Sequence, residues 1–371
     1  MSASVTELIR RYDPSQPLAS ACTIPSAWYL DPRIAAARAL ITVFAGNWVA
    51  VARADQLAEP GQFVTAAVAG EPVVVVRGAD RLLRAFFNVC RHHAAAVCTE
   101  PAGTARALHC PYHGWTYSLA GELKGVPEFD GVADFDKREY GLLPVACAAW
   151  QGFVFVRLAG PSPGLDAVVA ELAAGVAGLA LDRLRFVERQ TYDLACNWKV
   201  FVDNYLDGGY HVPHIHRDLN SVLSLSDYTI ECGQRYCLQS GPLSAGGDAG
   251  TARVRRGDRA YYYWLYPNLM INCYAGTMDT NVVWPLAVDR CRVVFDFYFD
   301  DSFAADARTH SVAVADRVQL EDVAVCESVQ RGLASRAYDV GRLSVRREAG
   351  EQLFHRLLHA DLEAGLSDAH G

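Results

Sequence analysis

The chain has 371 residues, 51% hydrophobic and 20% charged, which fits a folded protein with more than one core and excludes a disordered or collagen-like chain. Thirty-four basic and 42 acidic residues leave a formal net charge of -8, with no run of Lys or Arg to track phosphates, so no nucleic-acid partner is expected. No segment approaches the ~20 apolar residues of a membrane span, and the N-terminus lacks the apolar core of a secretory signal. A cytoplasmic location is therefore expected, where the 11 cysteines are thiols or metal ligands before they are disulfides.

In chain order, residues 1–45 read as a lead-in with one short helix from Ser4 to Arg11. Residues 46–160 have β texture: "VAVARA", "QFVTAAVAG", "EPVVVVRG" and "LLRAFFNV" are short apolar or alternating runs broken by Gly, Pro and Asp. "GWTYSLAGELKG" predicts a hairpin with Ala120-Gly121 in its turn. "AGPSPG", residues 159–164, reads as a linker, and 161–371 as a mixed α and β domain. There the pattern predicts a helix over about 165–180, another starting near Asn197 and running to Gly208-Gly209, and long aromatic strands through "YYYWLYPNLMINCYAG" and "TNVVWPLAVDRCRVVFDFYFD". Two amphipathic helices follow, about 304–334 and 345–366. No Gly-rich nucleotide fingerprint occurs.

Two constellations carry chemistry. In the β domain, "NVCRHH" and "CPYHGW" place Cys90, His92, Cys110 and His113 as Cys-x-His and Cys-x-x-His. Two thiolates and two imidazoles in paired loops suit either a structural zinc or a two-iron cluster. Zinc sites usually pair like with like, whereas each loop here carries one Cys and one His. With Gly114-Trp115 following, that mixed pairing resembles the Rieske [2Fe–2S] domain. Neutral His in place of thiolate raises the cluster potential to roughly -150 to +300 mV, suited to passing single electrons. His93 and His109 read as supporting or surface residues, with His93 pointing away from the cluster, and Cys98 as buried.

In the second domain, "CNWKVFVDNYLDGGYHVPHIH" gathers two acids and three histidines. Redox iron with open positions takes two His and one carboxylate. His211 and His214 share a helical face, while His211 and His216 lie about 140° apart on a regular helix. Gly208, Gly209 and Pro213 break that regularity, so spacing alone leaves the pair open.

Taken whole, the chain resembles the oxygenase subunit of Rieske non-haem iron oxygenases over about residues 26–360. Within that family the resemblance is to choline monooxygenase and related quaternary-amine oxygenases, carried by "CNWKVFVDNYLDGGYHVP", "YPNLMINCYAGTMDTNVVWPL", "CRVVFDFYFDD" and "RVQLEDVAVCESVQRGL". It implies an α+β chain: an all-β Rieske [2Fe–2S] domain followed by a helix-grip-like mixed-sheet catalytic domain. The family's Tyr-His, followed after four residues by a second His, selects His211 and His216 for a mononuclear Fe(II). The late helix supplies Asp322, leaving Glu321 and Glu327 as exposed helix-face charges and His214 as a pocket-side or surface residue. Asp207, four residues before His211, corresponds to the acid that links the two metal centres. Many relatives carry that acid at the position held here by Gly208. Asn204 matches a position near the iron.

The resemblance further implies electrons from NAD(P)H through a separate ferredoxin or flavin reductase, O2 and a small-molecule substrate, and a homotrimer with transfer between subunits. The expected reaction is hydroxylation of choline to betaine aldehyde hydrate. The alternatives are oxidative N-demethylation of glycine betaine or a similar amine, and tailoring of a secondary metabolite or aromatic ring. A different class would be an electron carrier or zinc-stabilised binding module, which needs no second metal triad. Tyr261, Tyr262, Tyr263, Trp264, Tyr266, Tyr274 and Trp284 crowd one strand region. Alternation turns about half of them inward, as a cation cage or as core.

Overall fold

The computed structural model describes residues 3–35, 41–160, 163–244 and 247–367. Residues 161–162 of the expected linker lie outside that set. The chain divides into two compact units, Phe44–Val168 and Met1–Val43 with Val169–Gly371. The N-terminal lead-in thus shares a unit with the C-terminal half.

The first unit is built from β1 (Val49–Arg53), β2 (Gln62–Val68), β3 (Glu71–Arg77), β4 (Leu83–Phe87), β5 (Ala102–Thr104), β6 (Leu108–His109), β7 (Thr116–Tyr117), β8 (Leu123–Gly125), β9 (Pro144–Trp150) and β10 (Phe153–Arg157). Seven form an antiparallel sheet in the order β1-β10-β9-β4-β3-β2-β5. Beside its central strand, β4, lies β3, where Val73 to Val76 are all fully buried. A continuous β-branched run, rather than an alternating one, suits a strand covered on both faces. The remaining strands form a small sheet, β6-β7-β8. Its β7–β8 hairpin turns at Gly121, whose φ of 86° no branched residue would hold without strain.

The second unit carries β11 (Arg185–Leu194), β12 (Thr229–Cys232), β13 (Tyr236–Pro242), β14 (Arg259–Leu265), β15 (Leu269–Tyr274), β16 (Thr277–Ala287) and β17 (Arg290–Phe299). They form one sheet in the order β11-β17-β16-β15-β14-β13-β12. Every pairing is antiparallel, where a mixed sheet was expected. The reason is local: β12 to β17 are consecutive neighbours, and neighbours joined by short connections must run in opposite senses.

Helices Trp198–Leu206, Ala305–Leu333 and Ala349–Ser367 belong to this unit, with several shorter helices. The first is capped by Asn197, whose side chain accepts from the Lys199 N–H at 3.1 Å. The second packs against it and against β11; the third packs against it and β12. Helix Trp198–Leu206 therefore sits at the junction of the unit's helices and sheet. Among the described residues, no helix is long and apolar enough to cross a membrane.

Candidate metal centres

The two cysteine loops of the first unit are near copies in backbone. Cys90 N–H donates to the Ala95 carbonyl at 2.8 Å, and Ala94 N–H returns to the Cys90 carbonyl at 3.0 Å. Cys110 N–H donates to the Trp115 carbonyl at 2.8 Å, and Gly114 N–H returns to the Cys110 carbonyl at 3.1 Å. The fifth residue of each loop is left-handed, Ala94 at φ 62° and Gly114 at φ 73°. Buried Asn88 clamps the first loop: its amide oxygen accepts from Val97 and Cys98 N–H at 3.0 and 2.9 Å, and its NH2 donates to the Cys98 carbonyl.

The loops bring Cys90 and Cys110 together in the core, with Cys110 raised above the ordinary thiol pKa by burial and by the Cys90 thiol beside it. Tyr117 lies 3.4 Å from the Cys90 sulfur. The His92 and His113 rings are 4.8 Å apart, and Trp115 stacks on His92 at 4.7 Å, holding its plane. Burial lowers the His92 pKa, as do His93 and His113, which favours the neutral imidazole that ligates metal. His92 Nδ1 is buried with no hydrogen-bond partner. An orphaned imidazole nitrogen beside two buried thiols fits a two-iron cluster and is costly otherwise.

His93 departs from expectation. The loop is a tight turn rather than extended, so His93 does not point away: its ring lies 4.0 Å from His92 and 5.4 Å from His113, on the exposed side. His109 is exposed and bonded to Thr116 Oγ1 at 2.9 Å. Cys98 is buried, its thiol pushed up to about 11 by burial.

The second centre assembles two segments more than a hundred residues apart. After helix Trp198–Leu206 the chain turns through Gly208 and Gly209, both at φ 69°. Pro213 opens a single helical turn, Val212–Ile215, and His216 leaves it at ψ 77°. This break brings together two histidines that a regular helix would hold apart. His211 Nε2 and His216 Nε2 are 3.1 Å apart, and Asp322 Oδ1 is 3.1 Å from His216 Nε2 and 3.7 Å from His211 Nε2. Metal bonds of about 2.1 Å at right angles would place donor atoms about 3 Å apart.

Each imidazole is held from behind. Asp207 Oδ2 lies 2.6 Å from His211 Nδ1 and accepts the His211 N–H at 2.9 Å. Glu321 Oε2 lies 2.7 Å from His216 Nδ1. A carboxylate at Nδ1 keeps the proton there and leaves the Nε2 lone pair for a metal. Burial opposes a charge on His216, but Asp322 and Glu321 together raise its pKa above the usual imidazole value. The site calls for positive charge, which a divalent ion supplies.

Glu321 is thus a correction to the sequence reading: it orients His216 and is not an idle surface charge. No local signal singles it out, because the contact joins residues 216 and 321 across the fold. Glu327 is likewise engaged, accepting the Ala195 N–H at 3.0 Å. His214 is exposed and outside the triad. Asn204 donates from Nδ2 to Asp322 Oδ1 at 2.9 Å. Gly208 has no room for an acid: a Cβ there would collide with the Arg347 carbonyl and the Ile230 side chain, whereas the Asp207 carboxylate reaches His211.

His211, His216 and Asp322 line a cavity of about 870 Å³, its open mouth included. Tyr262 and Tyr274 line it, their hydroxyls 2.7 Å apart, together with Tyr205 and Tyr228, which strand alternation did not find. Trp264 and Tyr266 instead pack under Phe354 as core. Buried Asp279 and Arg255 also line the cavity, 4.0 Å apart. Asn272 donates to Asp279 at 2.6 Å.

A Cys/His pair of loops in one unit and a two-His, one-carboxylate triad in another define an iron oxygenase that takes electrons from a cluster. The Rieske [2Fe–2S] domain family matches residues 47–136, and the ring hydroxylating alpha subunit (catalytic domain) family matches residues 181–364. The chain belongs to the Rieske non-haem iron oxygenases, with a [2Fe–2S] cluster, a mononuclear iron and electrons delivered by a separate reductase. Choline monooxygenase, chloroplastic, of Arabidopsis thaliana is 40% identical over 97% of this chain and 88% of that protein. The carnitine monooxygenase oxygenase subunit of Escherichia coli (strain K12) is 32% identical over 91% of this chain and 93% of that protein. Among solved structures, a quaternary ammonium Rieske monooxygenase is 27% identical, with a TM-score of 0.83, covering 93% of this chain and 96% of that one.

Proposed function

We propose that Cys90 and Cys110 hold one iron of the cluster and His92 and His113 the other. We propose also that His211, His216 and Asp322 hold the mononuclear iron, and that the chain hydroxylates choline at its alcohol carbon. The observation that carries the substrate reading is the wall of Tyr228, Tyr262 and Tyr274, with buried Asp279, in the cavity that the triad lines. Similarity to choline monooxygenase supports it.

The bound metal groups supply single electrons and dioxygen activation. The chain's own residues bind, orient and exclude water. Tyrosine rings attract a quaternary ammonium by ~0.5–2 kcal/mol each. One face of Tyr274 is already taken by Arg255, whose guanidinium carbon lies 4.6 Å from the ring centre. Burial raises the Asp279 pKa, with Arg255 acting against it, so an arriving cation favours the ionised carboxylate. Asn204 fixes Asp322, and Asp207 and Glu321 keep protons on the Nδ1 atoms. In the assembly we propose, a homotrimer with head-to-tail contacts, Asp207 also receives the partner subunit's His113 and completes the electron path. A cytoplasmic setting suits eleven cysteines of which none is in a disulfide.

A second reading rests on Arg255. Its Nε is buried without a partner, which suits a substrate carboxylate and hence N-demethylation of a betaine. Turnover with choline, glycine betaine and carnitine, using NADH and a surrogate reductase, decides. Betaine aldehyde formed in step with NADH supports the choline reading; formaldehyde from glycine betaine with choline inert overturns it. Metal analysis should find about three iron and two sulfide per chain.

A further inference from the structure

The metal sites and the substrate cavity use neither Cys232 nor Cys237. These residues face each other across the β12–β13 hairpin, in register, with sulfurs 3.8 Å apart. The next pair, Gly233 and Tyr236, is hydrogen-bonded, Gly233 N–H to the Tyr236 carbonyl at 3.0 Å. Pairs alternate along an antiparallel ladder, so Cys232 and Cys237 occupy a non-hydrogen-bonded position, where Cα atoms approach to about 4.5 Å and side chains are closest. That separation lies within the range a disulfide spans. The two thiols differ in access: Cys232 is exposed, while Cys237 is fully buried beneath the C-terminal helix, where a Cβ on Gly350 would stand 2.8 Å from its sulfur. Contact with Cys237 holds the Cys232 thiol below its ordinary pKa, and contact with Cys232 together with burial raises that of Cys237.

We propose that Cys232 and Cys237 are a site of reversible oxidation, closing to an intramolecular disulfide when hydrogen peroxide reaches Cys232. The Cys232 thiolate attacks the peroxide O–O bond, forming the sulfenic acid and releasing water once the leaving hydroxide takes up a proton. The Cys237 sulfur then displaces the sulfenic hydroxyl, which leaves as water with the Cys237 proton. Two thiols lose two electrons, and one peroxide becomes two waters. The site joins the hairpin to functional strands: Gln239, on the same face of β13, donates to the Tyr205 carbonyl at 2.7 Å and lines the substrate cavity.

The sequence supplies its own diagnostic. Trypsin cuts after Arg217, Arg235 and Arg253, so Cys232 and Cys237 fall in separate peptides, Asp218–Arg235 and Tyr236–Arg253, each with one cysteine. Reduced holoenzyme would be treated with one equivalent of hydrogen peroxide, blocked with N-ethylmaleimide before unfolding, and digested without reductant. The expected result is these two peptides joined, separating on addition of dithiothreitol. In Cys237→Ser, dimedone should trap sulfenic acid on Cys232 at about tenfold the wild-type yield, because the resolving thiol is gone. Iron retained at His211, His216 and Asp322, which lie in the same unit as the two cysteines, reports that this unit remains folded in both proteins. Unlinked peptides in the wild type, or Cys232 oxidised no faster than the other accessible thiols, overturns the proposal.

Discussion

The two metal centres solve the same problem by opposite means. The cluster site is local: two loops of six residues, one between β4 and β5 and the other between β6 and β7, repeat one hydrogen-bond pattern and one left-handed position and present two thiols and two imidazoles. The mononuclear site is assembled. Its histidines come from an irregular turn after helix Trp198–Leu206 and its carboxylate from the middle of helix Ala305–Leu333. The cluster histidines rest on neighbouring rings, whereas both triad histidines are pinned at Nδ1 by carboxylates. A cluster passing electrons needs chiefly a preformed cradle. An open-sided iron needs its ligands held so that the remaining positions stay free.

The comparison is broken most severely by removing ligands. His211→Ala, His216→Ala and Asp322→Ala should each lose about one iron per chain and all oxygenation, while the cluster still reduces with dithionite. Cys90→Ala or His113→Ala should do the reverse, abolishing the visible cluster absorption and sparing the second unit. If His214→Ala lost iron and His216→Ala did not, the triad would be misassigned.

Asp207→Asn should come next. It keeps size but removes the charge at His211 Nδ1, leaving cluster and iron present while slowing transfer between them by orders of magnitude. Single-turnover cluster oxidation with O2 and substrate measures this; wild-type rates would reduce Asp207 to a turn residue. Glu321→Gln tests the equivalent position on the other imidazole, where no electron path is at stake. Iron affinity and activity should fall by about 10- to 100-fold, the usual effect of losing such a partner, with cluster oxidation per bound iron unchanged.

The smallest effect concerns pH in the iron-free protein. Burial opposes a charge on His216 there, but Asp322 and Glu321 raise its pKa above the ordinary imidazole value of about 6.5. The stabilisation from the His216–Asp322–Glu321 contacts is therefore complete below about pH 6.5 and lost as pH rises through the folded value. Thermal unfolding of iron-free protein should show this decline, and His216→Ala should flatten it. Iron binding, which displaces that proton, should strengthen over the same rise.

How much of each site could be read from sequence follows the same division. Cys90, His92, Cys110 and His113 could be singled out as candidates because ligand-like spacing within a tight loop is a property of a few consecutive residues, and the structure sets them in two matching loops. So were helix Trp198–Leu206, with its Asn197 cap and glycine exit, and the β7–β8 hairpin. The choice of His216 over His214 came from family resemblance, since Pro213 and the break at His216 defeat helical arithmetic. Glu321 was misread because neighbouring residues on an isolated helix point about 100° apart, and nothing in the helix itself says that both would meet the same imidazole. The cavity wall was half legible: alternation marks Tyr262 and Tyr274 as candidates but says nothing of Tyr205 and Tyr228, which arrive from a helix and a loop.

The sequence by itself determined the kinds of donor atom, their pairing in the cluster loops and the order of elements. These follow from residue chemistry and from interactions a few positions apart. Only the tertiary structure decided which carboxylate backs which histidine, why no side chain fits at Gly208, and which tyrosines face the cavity. Each depends on atoms far apart in the chain meeting within 3 or 4 Å, a distance set by the packing of helix Ala305–Leu333, the Arg347 backbone and β14–β15 against helix Trp198–Leu206 and the turn that follows it.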